Sequence, residues 1–406
     1  MKTKSPITIS DVIEAKEHIA KVIQSTHVRH SREASKRANC EVWLKMENEQ
    51  KTGSFKIRGA YNNIRSLSPE QRKKGLIACS AGNHAQGVAY SSSQLGAKAT
   101  IVMPLNSPLV KVQATRDYGA EVILYGKVFD ECYQRAQEIM KERDYIFVHP
   151  FSDPMTIAGQ GTIGLEILAE LGDDVDSVVV PIGGGGLISG IATVIKAKAP
   201  KCKIFGVQSD LTPGMFDLFY KKPQKEVTRY SSLADGIAVK KADQKLFEEY
   251  ISRLVDDIVV VSDNEIAEAI VLLLERAKSV VEGSGAAALA AVLSGRLNLG
   301  KKCVAIMSGG NIDLNNINMV IERGLISKGR RAQLNVLFQD SPGSLSQLTA
   351  VLAKEGANIL QVNHNRMDHD LALREARIEF QIEILNHEHL DKIKAALHVL
   401  GARLTD

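Results

Sequence analysis

Aromatic residues make up only 5% of the 406 positions, and there is a single tryptophan. So little aromatic surface leaves few stacking platforms for single-stranded nucleic acid. Net charge is only +4 and is spread along the chain, whereas a nucleic-acid footprint needs a basic stripe or patch. Cysteine is scarce and scattered: Cys40, Cys79, Cys132, Cys202 and Cys303 form no CxxC pair. That removes the usual zinc and disulfide signatures and leaves buried reduced thiols as the default. The amino terminus, Met1-Lys-Thr-Lys-Ser-Pro6, lacks an apolar h-region and a cleavage site. No uncharged apolar run approaches the length of a membrane span. Internal repeats and low-complexity segments are missing too. The expectation is a cytoplasmic protein with no nucleic-acid or membrane partner and no metal.

What is present is a globular composition, 44% apolar and 24% charged, on a chain long enough for two or three domains. Residues 9–24 read as an amphipathic helix, and 41–46 as a short strand. Strands then alternate with helices: strand 76–79, helix 83–95, strand 99–103, helix 108–118, strand 121–124, helix 128–142. A second run follows, with helix 163–171, strand 177–181, a helix ending near 198, strand 203–208, strand 257–261, a helix from Ser262 or Asp263 to 278, helix 285–294 and strand 303–307. Such spacing predicts βαβ units around parallel sheets. Residues 210–255 give no clear pattern. The expected fold class is α/β in two lobes, the smaller spanning about 42–148. Beyond Lys328 the order changes to strand, helix, strand, strand, helix, strand, the ferredoxin-like split unit. The expected domains are therefore 1–327 and 328–406, the second a binding module.

Four stretches carry chemistry. Lys51-Thr-Gly-Ser-Phe-Lys-Ile-Arg-Gly-Ala60 sets Lys56 among small residues at the mouth of a helix. Alone it reads better as a solvated lysine, because most lysines are. Ser80-Ala-Gly-Asn-His84 lies between a strand and a helix, with Asn83 offering a neutral amide at the helix start. Pro181-Ile-Gly-Gly-Gly-Gly-Leu187 follows a buried strand. Its glycines free successive N–H groups to face one anion at a helix N-terminus. It is neither GxGxxG nor a Walker sequence, so a single phosphate suits it better than a dinucleotide or triphosphate. Ser308-Gly-Gly-Asn311 ends a strand and presents a hydroxyl. Each of these loops follows a strand, so all gather where open α/β sheets bind ligands. One ligand accounts for all of them, an aromatic aldehyde with one phosphate: Lys56 meets the aldehyde, the glycine loop the phosphate, Asn83 the ring hydroxyl and Ser308 the ring nitrogen. That ligand is pyridoxal 5'-phosphate.

With these motifs in this order, the chain from about residue 10 to 327 closely resembles the fold-type II pyridoxal-phosphate enzymes, in the threonine dehydratase branch. The tail resembles an ACT domain through Asp340-Ser-Pro-Gly-Ser-Leu345 and Gly356-Ala-Asn-Ile359. The resemblance implies β-elimination of L-threonine to 2-oxobutanoate and ammonia, with L-serine as a further substrate and Lys56 as the catalytic base. It implies cofactor contacts at Phe55, Asn83, Gly183, Gly184, Gly185, Gly186, Leu187, Glu282 and Ser308. Glu282 reads equally as a helix-start carboxylate favoured by the dipole. Gly53, Ser54, Ser80, Ala81, Gly82 and His84 are implied around the substrate, although His84 also reads as a hydrogen-bonded loop histidine. Gly343 and Asn358 are the implied contacts for a small effector in a homo-oligomer, serving isoleucine synthesis or threonine breakdown. Two departures matter. Related serine racemases carry a second base, a serine, where this chain has Ala81. They also hold a divalent ion partly through a glutamate where this chain has Gln208, a weaker ligand for a hard cation. A racemase, a 3-hydroxyaspartate dehydratase and an amino-acid sensor with vestigial lobes are the competing readings.

Overall fold

The computed structural model describes residues 6–224, 232–367, 369 and 371–405. Three sheets organise them. A six-stranded sheet runs in the order Val28–His30, Glu41–Lys45, Lys302–Ile306, Ser177–Pro181, Lys203–Ser209, Asp257–Val261. Its neighbours are parallel except the edge strand Val28–His30, which pairs antiparallel. Ser177–Pro181 is buried along its whole length, as its unbroken apolar run requires of a strand covered on both faces. A four-stranded parallel sheet runs Glu121–Leu124, Ala99–Met103, Leu76–Cys79, Ile146–Phe147. The two sheets carry separate apolar cores, around Val178, Val180 and Ile306 in one and Ala78, Ile101 and Val88 in the other.

The expected small lobe began too early. Glu41–Lys45 pairs in parallel with Lys302–Ile306 and belongs to the larger sheet. Val42 and Leu44 are fully buried there, and the small sheet starts at Leu76. The chain separates into compact units 1–317 and 318–406, a division inside the helix Leu314–Ser327. The second unit is an antiparallel sheet in the order Asn358–Asn365, Glu375–Glu383, Arg331–Gln339, Arg403–Thr405. With helices Ser344–Lys354 and His387–Val399 it has the expected βαββαβ order.

The helix expected at 163–171 is longer, Pro154–Leu171. Asp153 caps it by accepting the N–H groups of Met155 and Thr156 at 2.8 and 3.2 Å, and proline suits the first position. Its glycine-rich first half hides the helical pattern, and those glycines serve contact. A Cβ on Gly159 would lie 2.5 Å from the Arg58 carbonyl, and one on Gly161 2.9 Å from the Gly190 carbonyl. The helix Lys56–Ser66 is thereby pressed against Pro154–Leu171. In the region without a clear pattern lie the short helix Gly214–Phe219 and a helical run over 244–254; residues 225–231 fall outside the described ones.

A buried charge network pins the same helix. The Arg58 guanidinium forks onto both oxygens of Glu47 at 2.8 Å and onto Glu166 at 2.7 and 2.8 Å. Lys45 donates to Glu166 and to the Thr26 carbonyl, each at 2.6 Å. Burial by itself would lower the Arg58 pKa, but the facing carboxylates raise it. Arg58→Leu leaves the buried Glu47 carboxylate without its cation and Glu166 with Lys45 alone. The expected loss is about 3–5 kcal/mol, read as a lower urea midpoint. Arg58→Lys keeps the charge but not the fork, and should recover only part of it.

Candidate active site

Backbone hydrogen bonds stitch the lysine stretch to the SGGN turn. Ser54 and Gly309 form an isolated antiparallel bridge. The Phe55 N–H donates to the Ser308 carbonyl at 3.2 Å, and the Gly310 N–H to the Gly53 carbonyl at 2.8 Å. The Glu282 N–H donates to the Gly309 carbonyl at 3.0 Å. Loops far apart in sequence thus share one floor.

Lys56 opens its helix and is half-buried. Its Nζ donates to the Pro150 carbonyl at 3.2 Å and lies 5.3 Å from the centre of the Phe55 ring. Burial pushes the amine down to about 8, while the Glu282 charge opposes the fall. Glu282 is buried as well. Burial first, then Asp235, pushes its carboxyl up to about 7. Asn83 Nδ2 donates to Glu282 Oε1 at 2.5 Å. Burial, then the Lys56 charge, pushes His84 down to about 3. Its Nε2 lies 2.9 Å from the Val148 carbonyl, so Nε2 carries the proton and the neutral ring is held as a loop support.

The glycine loop is shaped by its surroundings. Gly185 has φ of +101°. A Cβ on Gly184 would lie 2.3 Å from the Phe151 ring, and one on Gly186 2.6 Å from the Phe151 carbonyl. Among the described residues, the N–H groups of Gly183, Gly184, Gly185, Gly186 and Leu187 donate to no protein acceptor. They stand at the N-terminus of the helix Gly186–Lys198, where an anion is favoured. The buried hydroxyls of Thr52, Ser54 and Ser284 have no protein partner either. Ser308 Oγ makes only a long contact, 3.4 Å, to the Ser284 carbonyl. In the asparagine loop, Ser80 Oγ accepts from the Gly82 N–H at 3.2 Å. Open space surrounds the point where a Gly82 side chain would start, and Ala81 is half-buried.

Residues 19–309 match the pyridoxal-phosphate dependent enzyme family, and residues 327–400 match the ACT domain family. The chain belongs to the fold-type II pyridoxal-phosphate-dependent enzymes. It is 47% identical over 395 residues to an L-threonine ammonia-lyase of Thermotoga maritima, covering 97% of this chain and 98% of that one. It is 46% identical over 389 residues to an L-threonine ammonia-lyase of Geobacter sulfurreducens, covering 96% of each. Among solved structures, the processed form of threonine deaminase isoform 2 from Solanum lycopersicum superposes with a TM-score of 0.72 at 35% identity, over 79% of this chain and 94% of that one.

The residues present fit the cofactor of this pyridoxal-phosphate enzyme. The unpaired N–H groups of the glycine loop match a phosphate, and the amine of low pKa matches an aldehyde. The orphaned hydroxyls supply polar atoms for a bound molecule. Three features were not legible beforehand. Phe151 supports the glycine loop, Pro150 holds the lysine amine, and Asn311 binds the Asn83 amide. Only Asn311 stood inside a recognised motif. Gln208 has a structural job: its Oε1 accepts the N–H groups of Met215 and Phe216 at 2.8 Å, and its Nε2 donates to the Ile182 carbonyl at 3.3 Å. It caps the helix Gly214–Phe219. In the ACT unit, Gly343 precedes the helix Ser344–Lys354 with φ of +95°, and Asn358 opens an edge strand. The register puts Asn358 beside Glu383 and Arg331, at the end of the sheet away from Gln339 and Gly343. At about 3.4 Å per residue they stand roughly 27 Å apart, so one small ligand on one chain does not touch both.

The low pKa of Lys56 is directly measurable. In the cofactor-free protein, labelling of Lys56 by an amine-selective reagent should rise through a midpoint at about 8, because only the neutral amine reacts. The Glu282 carboxylate favours the charged amine, so Glu282→Gln should move the midpoint lower. Mass spectrometry of the labelled peptide across pH reads both effects.

Proposed function

We infer that this protein is an L-threonine ammonia-lyase that yields 2-oxobutanoate and ammonia, and that it also converts L-serine to pyruvate and ammonia. The observation that carries the reading is the Lys56 amine, held at the Pro150 carbonyl with its pKa drawn down towards neutrality, in a site whose asparagine loop offers Ala81 in place of a second base. The near full-length similarity to L-threonine ammonia-lyases supports the substrate.

Gly183 to Leu187 hold the cofactor phosphate, and Asn83 and Ser308 face its ring. When bound, the cofactor draws electrons from the substrate Cα, modestly so because a hydroxyl and not a carboxylate faces its ring nitrogen. Lys56 Nζ takes the Cα proton. An amine with a pKa near the working pH suits that task better than an ordinary lysine. The Pro150 carbonyl accepts from Nζ and keeps the amine in position before and after the transfer. Ser54 and Gly53 receive the substrate carboxylate. The β-hydroxyl departs as water by gaining a proton equivalent to the one Lys56 removed from Cα, and the enamine released hydrolyses to the oxo acid and ammonia. With no proton donor on Ala81, return of a proton to the opposite face is disfavoured, which argues against racemisation.

The ACT unit binds a small amino-acid effector within a homo-oligomer and adjusts the activity, in isoleucine synthesis or in threonine breakdown. Such control requires the effector to bind two enzyme states unequally. The test is oxo-acid release from L-threonine and L-serine by the full chain, with and without isoleucine, valine and AMP, alongside D-amino-acid formation. Lys56→Ala is expected to lose about a thousandfold or more in turnover. Wild-type turnover by that variant, or dominant racemisation by the native protein, would overturn the reading.

A further inference from the structure

The amide of Asn83 belongs to a directional chain of hydrogen bonds. One end is the Thr52 carbonyl, which only accepts. Asn311 Nδ2 donates to it at 2.8 Å, which assigns the nitrogen of Asn311. The same Nδ2 donates to Asn83 Oδ1 at 2.7 Å, which assigns the oxygen of Asn83. Asn83 Nδ2 is left facing Glu282 Oε1 at 2.5 Å. An amide nitrogen carries two hydrogens, so a second donor stays available to the site. Asn311 itself is boxed in. A Cβ on Gly53, which has φ of +70°, would lie 2.2 Å from Asn311 Oδ1. Only glycine leaves room for the Asn311 carboxamide beside the lysine stretch.

We propose that Asn311 is a positioning residue: anchored on the Thr52 carbonyl, it sets the direction of the Asn83 amide and thereby decides that Asn83 presents a donor, not an acceptor, to the cofactor. An asparagine side chain is nearly symmetric in shape, and a flip exchanges donor for acceptor with little steric change. Glu282 and Asn311 together remove that freedom. This deepens the proposed function, but it needs only the cofactor site. Cofactor binding therefore tests it, and a failure to dehydrate threonine would not touch it.

The experiment titrates cofactor-free protein with pyridoxal phosphate and records the dissociation constant and the visible absorption band of the bound cofactor. Asn311→Asp is nearly isosteric but has only acceptors where Thr52 and Asn83 both need a donor. It is expected to raise the dissociation constant about tenfold, the scale of one lost and one reversed hydrogen bond, and to shift the band. Asn311→Ala, which removes the anchor without repulsion, should raise it less. The double variant Asn83→Ala/Asn311→Ala should match Asn83→Ala alone, since a residue that acts through another has nothing left to act on. Wild-type affinity and spectrum in Asn311→Asp would overturn the proposal. So would effects of the two alanine substitutions that simply multiply. Should Asn311→Asp fail to fold, as judged by its thermal transition without cofactor, the alanine cycle decides alone.

Discussion

The Arg58 guanidinium lies between Glu47 and Glu166, two residues beyond Lys56 and out of contact with water. Each charge in that group would be costly to bury alone, and each is matched by a partner with the right geometry. The group ties three parts of the chain together: the turn after strand Glu41–Lys45, the first turn of the lysine helix, and the helix Pro154–Leu171. A lysine on a flexible four-carbon stem is a poor catalyst unless its backbone is fixed. Here it is fixed from below by ion pairs, from the side by contact at Gly59 and Gly159, and from above by bridging to Gly309.

Within that frame the electrostatics are reciprocal. Lys56 and Glu282 share a water-poor site, and burial shifts each towards its neutral form. Their mutual attraction limits both shifts. The amine near 8 and the carboxyl near 7 each lie close to neutral pH. His84, pushed far lower, stays neutral, with its Nε2 held at the Val148 carbonyl.

The second unit follows simpler rules. Alternating apolar residues along Arg331–Gln339 and Glu375–Glu383 face two amphipathic helices, with Val336, Ile378, Phe380 and Leu348 in the core between them. The pattern has a period of two in the strands and of 3.6 in the helices, so the order of elements was legible from residue types alone. The placement of Gly343 and Asn358 was not. Their motifs look equally like ligand turns in the sequence, yet antiparallel pairing sends them to opposite ends of the sheet.

The same division runs through the catalytic unit. Strands such as Ser177–Pro181 and Ala99–Met103 announce themselves because a central parallel strand is largely apolar. The glycine run, the asparagine loop, the lysine stretch and the SGGN turn are local signals, since each needs particular backbone freedom at consecutive positions. The pairing of Glu41–Lys45 with a strand some 260 residues later, the hidden first half of the helix Pro154–Leu171 and the support by Pro150 and Phe151 left no local trace. They depend on which surfaces meet, and glycines that look like helix breakers in a sequence become the points of closest helix contact. Sequence alone therefore determined the fold class and the cofactor chemistry. The tertiary structure decided how basic Lys56 is and which way Asn83 points, because both depend on burial and on partners that only folding brings within reach.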